Sequence, residues 1–178
     1  RETAPAAATE DYLRYVSAAD KTNPLPNLGT SFLSTKASGR SIGTPGAVRM
    51  LELAHREHGK LAWAQLFEPA IQLAEGGFKV SARLHTLVKA DAHLKKDPVA
   101  AAYFYKADGD ARDVGVNLRN PELAAVLRRI AAEGSKALHE GEIAQAIVDK
   151  VQKHPTNPGK LSLARSEEHT SELQSLTT

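Results

Sequence analysis

The sequence predicts a mainly α-helical protein with short extended segments, and three observations support that fold class. Alanine and leucine are abundant while aromatic residues make up only 5% of the chain, a composition that favours helix over sheet. Apolar residues recur at helical spacing in several segments, and three helix starts pair a capping residue with a proline. The 178 residues suit one domain with a substantial core.

The N-terminal part predicts two helices separated by a loop. Thr9 can cap the first helix, which ends at 23–27 because neither proline there can donate a backbone hydrogen bond. Residues 28–43 are rich in Gly, Ser and Thr, which predicts a loop. The second helix follows the capping residue and proline at 44–45 and ends at Gly59.

The remaining helices follow from the same start and stop signals. The sequence predicts a helical stretch over 62–77 interrupted or kinked near Pro69, a helix capped by Ser81, a short helix from 97–98, a helix from 120–121 to Gly134 and a last helix over 141–153. Residues 106–118 are turn-rich with room for one short strand, and residues 157–163 predict a turn and extended chain.

Composition excludes several classes of partner. The net charge of +2 is too small to favour nucleic acid or an anionic membrane. The chain has no cysteine, so it forms no disulfide and no thiolate metal site. The longest apolar runs, such as 99–104, are far too short to span a bilayer. No signal peptide is visible, and we expect that the natural N-terminus precedes Arg1.

Two groups of residues have part of a metal-binding pattern. His55 and His58 are three apart on a predicted helix and could face one ion, but no third ligand accompanies them, so a solvated helix end is favoured. Asp108, Asp110 and Asp113 have some calcium-loop spacing but lack the terminal glutamate, and we interpret them as turn formers. The sequence therefore predicts no metal and no cofactor.

Two further segments could be mistaken for sites. The glycine-rich segment 39–46 precedes a helix and could offer N–H groups to an anion, but it lacks the Walker lysine and a preceding strand. We favour the interpretation that this segment is a loop that connects to the start of the helix. The "HEGE" at 139–142 lacks the second histidine of zinc proteases, which predicts a turn between two helices.

Several motifs together resemble one protein family. They are "RETAP" at 1–5, "GRSIGTPGAV" at 39–48 with the segment that follows it to Phe78, "LRNPELAAVLRRIA" at 118–131 and "NPGKLSL" at 157–163. In this order they resemble the large subunit of bacterial gamma-glutamyltranspeptidase, also called glutathione hydrolase, from residue 1 to about residue 164. That family belongs to the N-terminal-nucleophile hydrolases.

The resemblance implies a fold, a reaction and a partner. It implies that this chain is the mainly α fragment of a four-layer αββα fold, whose precursor cuts itself into large and small subunits that stay together. The N-terminal threonine of the small subunit attacks the gamma-glutamyl amide of glutathione, with its own amine as base. The glutamyl group then passes to water or to an amino-acid or peptide acceptor. No catalytic residue is therefore expected in this chain, and the family's location implies a periplasmic or secreted protein.

One substrate-binding residue is carried over from the family. The arginine of the "RE-x-AP" motif binds the alpha-carboxylate of the glutamyl group, and the matching position is Arg1. A guanidinium matches a carboxylate in two parallel hydrogen bonds. Without the resemblance, a single arginine is more often a surface ion pair worth under ~1 kcal/mol.

The last residues depart from the family. We expect residues 1–164 to be a partial large subunit and residues 165–178 to be a non-native tail. From Arg165 to Ser175 the residues match a common sequencing-adapter DNA codon for codon (AGA TCG GAA GAG CAC ACG TCT GAA CTC CAG, then TC). The alternative is a natural disordered tail, since the segment has no apolar face. The threonines at 177–178 do not correspond to the family's processing site, which lies far downstream and is followed by histidine.

A competing hypothesis is a non-enzymatic helical interaction module. It is supported by the amphipathic helices and by the lack of a complete catalytic set within the 178 residues.

Overall fold

The computed structural model describes residues 4–5, 7–8, 38–155 and 157–163. Within them, the chain forms seven α-helices and two short strands: α1 Ala47–His58, α2 Glu68–Gly76, β1 Phe78–Lys79, α3 Ala82–Ala90, α4 Pro98–Phe104, β2 Asn117–Leu118, α5 Pro121–Glu133, α6 Lys136–His139 and α7 Gly141–Gln152. Short 3-10 helices cover Gly39–Ser41, Trp63–Phe67 and Leu94–Lys96. The prediction of a mainly helical chain is confirmed, whereas the predicted helix from Thr9 lies outside the described residues.

The chain divides into two compact units. Unit 1 consists of Arg1–Trp63 and Arg129–Thr178, and unit 2 of Ala64–Arg128. Helix α5 is continuous through residues 128 and 129, where the division falls.

Unit 1 is held together around the C-terminal end of α7. Val148, Val151 and Leu161 form a buried cluster. The N–H of Gly39 donates to Asn157 O at 3.1 Å, and the N–H of Gly159 donates to Val151 O at 2.9 Å. A Cβ on Gly39 would overlap the carbonyl oxygen of Val151, so this close backbone approach requires glycine.

Unit 2 combines one small sheet with helical packing. β1 pairs antiparallel with β2, with Phe78 opposite Leu118 and Lys79 opposite Asn117. The hydroxyl of the buried Tyr105 donates to Val88 O at 2.7 Å. This bond satisfies the polar end of a ring that is packed with Val88 and Ala111 in the buried cluster.

The predicted helix starts are confirmed in three places and wrong in one. Three side chains cap as expected: Ser81 accepts from the N–H of Leu84, Asp97 from those of Val99 and Ala100, and Asn120 from that of Leu123. Thr44 does not cap α1: Gly46 takes the N-cap position, no side chain caps this helix, and Thr44 is buried, with 3% of the residue exposed. The expected interruption near Pro69 is a change from 3-10 to α-helix, with Pro69 in the first turn of α2, where it removes no intrahelical bond.

Candidate functional site

The predicted substrate-binding residue Arg1 lies outside the described residues, as do residues 165–178. The chain that follows Arg1 is described at two points. The carbonyl of the buried Pro5 accepts from the N–H of Ala8 at 2.9 Å, and Lys160 Nζ donates to Ala7 O at 3.3 Å. Ala7, two residues after the "RETAP" motif, therefore contacts Lys160 of the "NPGKLSL" segment in unit 1.

Two other quoted motifs meet in the same unit. The backbone hydrogen bond from Gly39 to Asn157 joins the "GRSIG" and "NPGKLSL" segments. Ser38 accepts from the N–H of Arg40 at 3.2 Å, and Ser41 Oγ donates to Ser38 O at 2.7 Å, which fixes the 3-10 turn. Segment 39–46 leads directly into α1, as the interpretation of it as a connection between a loop and a helix predicts.

The two candidate metal ligands of α1 point to different surroundings. His55 Nε2 lies 2.8 Å from Leu61 O, and its ring meets the Trp63 ring edge-on at 5.3 Å between centroids. His58 is exposed and lies 3.6 Å from Glu57 Oε2. The helix-end interpretation holds for His58, whereas His55 also fixes the chain beyond Gly59, a role that the sequence did not reveal. Over the described ranges, no group of three or more His, Cys, Asp or Glu could hold a metal ion.

The other two candidates are turns, as predicted. Asp108 Oδ1 accepts from the N–H of Asp110 at 2.9 Å, and Lys106 Nζ lies 3.5 Å from Asp113 Oδ2. At 139–142, α6 ends at His139 and α7 begins at Gly141, with Glu140 between them.

The structure assembles a charged cleft in unit 1 that the sequence did not single out. It lies between α1 and the turn joining α5 to α6. Its lining residues are Arg49, Glu52, Leu53, Arg56, Glu133, Ser135, Lys136, His139 and Glu140, around a volume of about 300 Å³. We call it the α1/α6 cleft.

Glu52 is the central acceptor of the cleft. Its carboxylate accepts hydrogen bonds from both the N–H and the hydroxyl of Ser135, 83 residues away, and from Arg56 Nη2 at 3.1 Å. Burial raises the pKa of Glu52, but the hydrogen bonds from Ser135 and Arg56 together outweigh it, so the pKa lies below its ordinary value of 4.5. An ionised carboxylate therefore ties α1 to the start of α6.

Gly134 makes this contact possible. Its φ of +73° is a left-handed conformation that favours glycine, and a Cβ there would overlap Glu52 Oε1. The predicted helix end at Gly134 is confirmed, and its glycine both ends α5 and admits the Glu52 carboxylate.

Replacing Gly134 by alanine should destabilise unit 1 more than the same change at Gly141. Gly141 has a similar φ of +71° but no atom within 4 Å of the added Cβ. Gly141→Ala should therefore cost only backbone strain, about 1–2 kcal/mol. Gly134→Ala should cost the same backbone strain and about 1–3 kcal/mol more, since the added Cβ displaces the partly buried Glu52 carboxylate from its hydrogen bonds with Ser135.

The measurement is urea unfolding followed by the fluorescence of Trp63, which is the single tryptophan of the chain and lies in unit 1. Its Nε1 donates to Ile130 O at 3.0 Å, so it reports on α5 directly. Equal losses in the two variants would show that Glu52 tolerates the extra methyl group.

Comparison with known proteins gives the family. Residues 1–174 match the gamma-glutamyltranspeptidase family model. The chain belongs to the gamma-glutamyltranspeptidase family. It is 35% identical to glutathione hydrolase 2 of Arabidopsis thaliana, covering 86% of this chain and 24% of that protein, and 32% identical to the glutathione hydrolase 5 proenzyme of Mus musculus, covering 86% and 25%.

Solved structures of the family have the same fold over this region. The gamma-glutamyltranspeptidase of Helicobacter pylori superposes with a TM-score of 0.73 and 28% identity, covering 94% of this chain and 45% of that one. The transpeptidase CapD of Bacillus anthracis gives a TM-score of 0.59 with 30% identity, covering 71% and 41%. The chain spans about a quarter of the length of the curated relatives it matches.

The comparisons agree with the family resemblance carried by the motifs. Across the described part of the chain, no helix is both long and apolar enough to cross a membrane.

Proposed function

We propose that this chain is the helical part of the large subunit of a gamma-glutamyl hydrolase and transferase with an αββα N-terminal-nucleophile fold. The observation that supports this most is agreement over nearly the whole chain, since the family match covers residues 1–174 and the Helicobacter pylori enzyme covers 94% of it. Contacts within unit 1 are consistent with this proposal, because they join segments that carry the family motifs: Gly39 bonds to Asn157, and Lys160 bonds to Ala7.

The proposed reaction uses groups from two subunits of one precursor. A threonine at the start of the small subunit attacks the gamma-glutamyl amide of a substrate such as glutathione, and its own amine accepts the proton. The glutamyl-enzyme then transfers its acyl group to water or to an amino-acid or peptide acceptor. Two relatives, from Mus musculus and Bacillus anthracis, are named proenzymes, which is consistent with a cleaved precursor. We place the protein in the periplasm or outside the cell.

Arg1 is the residue that this chain contributes to substrate binding. Its guanidinium forms a bidentate pair with the alpha-carboxylate of the glutamyl group and holds the amide near the nucleophile. No metal or cofactor takes part in the proposed reaction.

A second candidate is a non-enzymatic helical interaction module. Helix α1 favours it, because Met50 and Leu51 are 50% and 55% exposed on a helix that could dock on a partner. Under the proposed function, the same side chains would pack on the rest of the enzyme.

The genomic reading frame distinguishes these two candidates. If the proposed function is right, the frame continues past residue 164 to a Thr-Thr-His sequence followed by a Gly-Gly segment. A stop codon soon after the α7 region would favour the module instead.

The same DNA sequence tests the tail. We propose that residues 165–178 are translated adapter sequence and do not belong to the natural protein. The family match extends to residue 174 and so includes most of this tail, which makes the codon sequence the decisive evidence. Amplifying the locus from genomic DNA and sequencing across the Ala164 codon should reveal a different continuation. Finding "RSEEHTSELQS" encoded in frame in the genome would show that the tail is natural.

A further inference from the structure

Unit 2 contains an open cleft beside the C-terminal end of α4, with a volume of about 720 Å³. Three cations line it, Lys95, Lys106 and Arg112, together with Tyr105 and several alanine and glycine residues, and none of these described lining residues carries a carboxylate. We call it the α4 cleft. Sites for small molecules usually enclose about 300–1,000 Å³, so the α4 cleft has room for a small organic ligand.

The three cations of the α4 cleft differ in how their charges are balanced. Lys106 Nζ lies 3.9 Å from Asp108 Oδ2 and 3.5 Å from Asp113 Oδ2, so two carboxylates balance its charge. Lys95 and Arg112, by contrast, form no ion pair with any carboxylate in the described ranges of the chain. The α4 cleft therefore presents two cations whose charges this part of the chain does not neutralise.

Arg112 is held in place by backbone carbonyls instead of a carboxylate. Its Nε donates to Tyr103 O at 2.7 Å and its Nη2 to Ala102 O at 2.9 Å, while its backbone N–H donates to Phe104 O at 3.0 Å. These bonds cap the last turn of α4 and hold the planar guanidinium in one orientation. A guanidinium has five N–H donors, so the capping bonds leave donors for an acidic group in the cleft.

Lys95 reaches the cleft from the 3-10 helix Leu94–Lys96. Its Nζ lies 4.8 Å from the centroid of the Tyr105 ring, which is a cation–π contact. The Tyr105 ring is itself fixed, because it is buried and its hydroxyl donates to Val88 O. The contact therefore positions the ammonium of Lys95 without neutralising its charge.

We propose that the α4 cleft binds a small organic dianion, with one oxyanion group paired with Arg112 and the second negative charge paired with Lys95. The guanidinium fork matches a carboxylate or a phosphate in parallel hydrogen bonds, whereas the ammonium acts as a point charge. The alanines of the lining leave room for a short carbon skeleton. A dicarboxylate and a phosphate monoester both have this chemistry, since both carry most of two negative charges at about pH 7.5.

The test is an NMR titration of the 178-residue chain at about pH 7.5. Succinate and phenyl phosphate are added separately at an ionic strength held constant with sodium chloride, and succinamide is the neutral control. At least one dianion should shift the amide signals of Ala107, Gly109 and Arg112, whereas succinamide and chloride should not. Binding of succinate alone identifies a dicarboxylate site, and binding of phenyl phosphate alone identifies a phosphate-ester site.

Two variants test the proposed pairing. Lys95→Met removes one charge but keeps an unbranched side chain beside Tyr105, so it should weaken binding several-fold. Arg112→Gln should weaken binding by about tenfold or more, because charged hydrogen bonds to the ligand are lost. Since Arg112 also caps α4, Lys95→Met is the variant that tests binding with that cap intact. Lys89→Met, at an exposed lysine of α3 that does not line the α4 cleft, is the matched control and should leave the affinity unchanged.

Three outcomes would overturn the proposal. In the wild-type chain, these are the absence of shifts at the cleft amides with both dianions, and equal shifts with succinamide. In the Lys95→Met variant, it is an unchanged dissociation constant while the amide signals of α4 stay at their wild-type positions. None of these readouts uses enzymatic activity, so the outcome is independent of the proposed function.

Discussion

The 178-residue chain alone should release no product from a gamma-glutamyl anilide, whereas the proposed full-length protein should turn it over. The chain contributes at most one substrate contact through Arg1, and a positioning group without a nucleophile has no bond-forming step to accelerate. Because enzymes typically accelerate their reactions by about 10⁶-fold or more, the expected difference is close to all or none.

The assay measures anilide release by both proteins at equal molar concentration. A trace of activity from a contaminating enzyme is recognised by preparing the chain with Arg1→Ala, which should leave that trace unchanged. Turnover by the purified chain that disappears in the Arg1→Ala variant would mean that the 178 residues contain a complete site. The division of labour between two subunits would then be wrong.

Local chemistry explains which parts of the fold could be predicted from the sequence. Ser81, Asp97 and Asn120 cap their helices through bonds to residues two or three positions further on, so a short window of sequence decides them. The helix ends at Gly59 and Gly134 were also predicted from a short window of sequence, because a glycine follows the last helical residue in each case. Thr44 has the same kind of signal, but its side chain is buried instead of capping α1, and burial depends on the rest of the chain.

Contacts between distant segments explain what could not be predicted. Each strand of the β1–β2 pair has only two residues, which is too short for an alternating apolar pattern to appear. The sequence therefore predicted one short strand in 106–118, where β2 lies, and did not predict β1. Glu52 and Ser135 lie 83 residues apart, and Trp63 and Ile130 lie 67 apart. Nothing in the sequence that flanks Glu52 distinguishes it from an exposed helical glutamate, so the α1/α6 cleft could be found only from the three-dimensional structure.

The candidate substrate contact, Arg1, follows neither from local capping signals nor from contacts between distant segments. Neither spacing nor composition selects Arg1 from the other arginines of the chain, and only the "RE-x-AP" motif assigns it a role. The family membership is established by the comparisons, while the role of Arg1 stays a prediction that a substitution can test.

Replacing Arg1 by lysine in the proposed full-length protein should lower kcat/KM for gamma-glutamyl substrates by about tenfold to about 150-fold. Lysine keeps the charge but loses the planar fork, and losing charged hydrogen bonds of this kind costs on the order of 1.5–3 kcal/mol. Self-cleavage of the precursor should be largely spared, because it does not involve the substrate's alpha-carboxylate. Arg83→Lys, at an exposed position of α3, is the matched control and should leave kcat/KM unchanged.

A substrate without the alpha-carboxylate shows whether Arg1 acts through that group. With a 4-aminobutyryl anilide, which keeps the amide but lacks the carboxylate, the wild-type protein should already be slow, and Arg1→Lys should slow it little further. The two losses are then non-additive, as expected when a side chain and a substrate group form one interaction. If Arg1→Lys lowers kcat/KM equally for both anilides, Arg1 does not bind the alpha-carboxylate, and its effect arises from the folding of the segment that follows it, where Lys160 contacts Ala7.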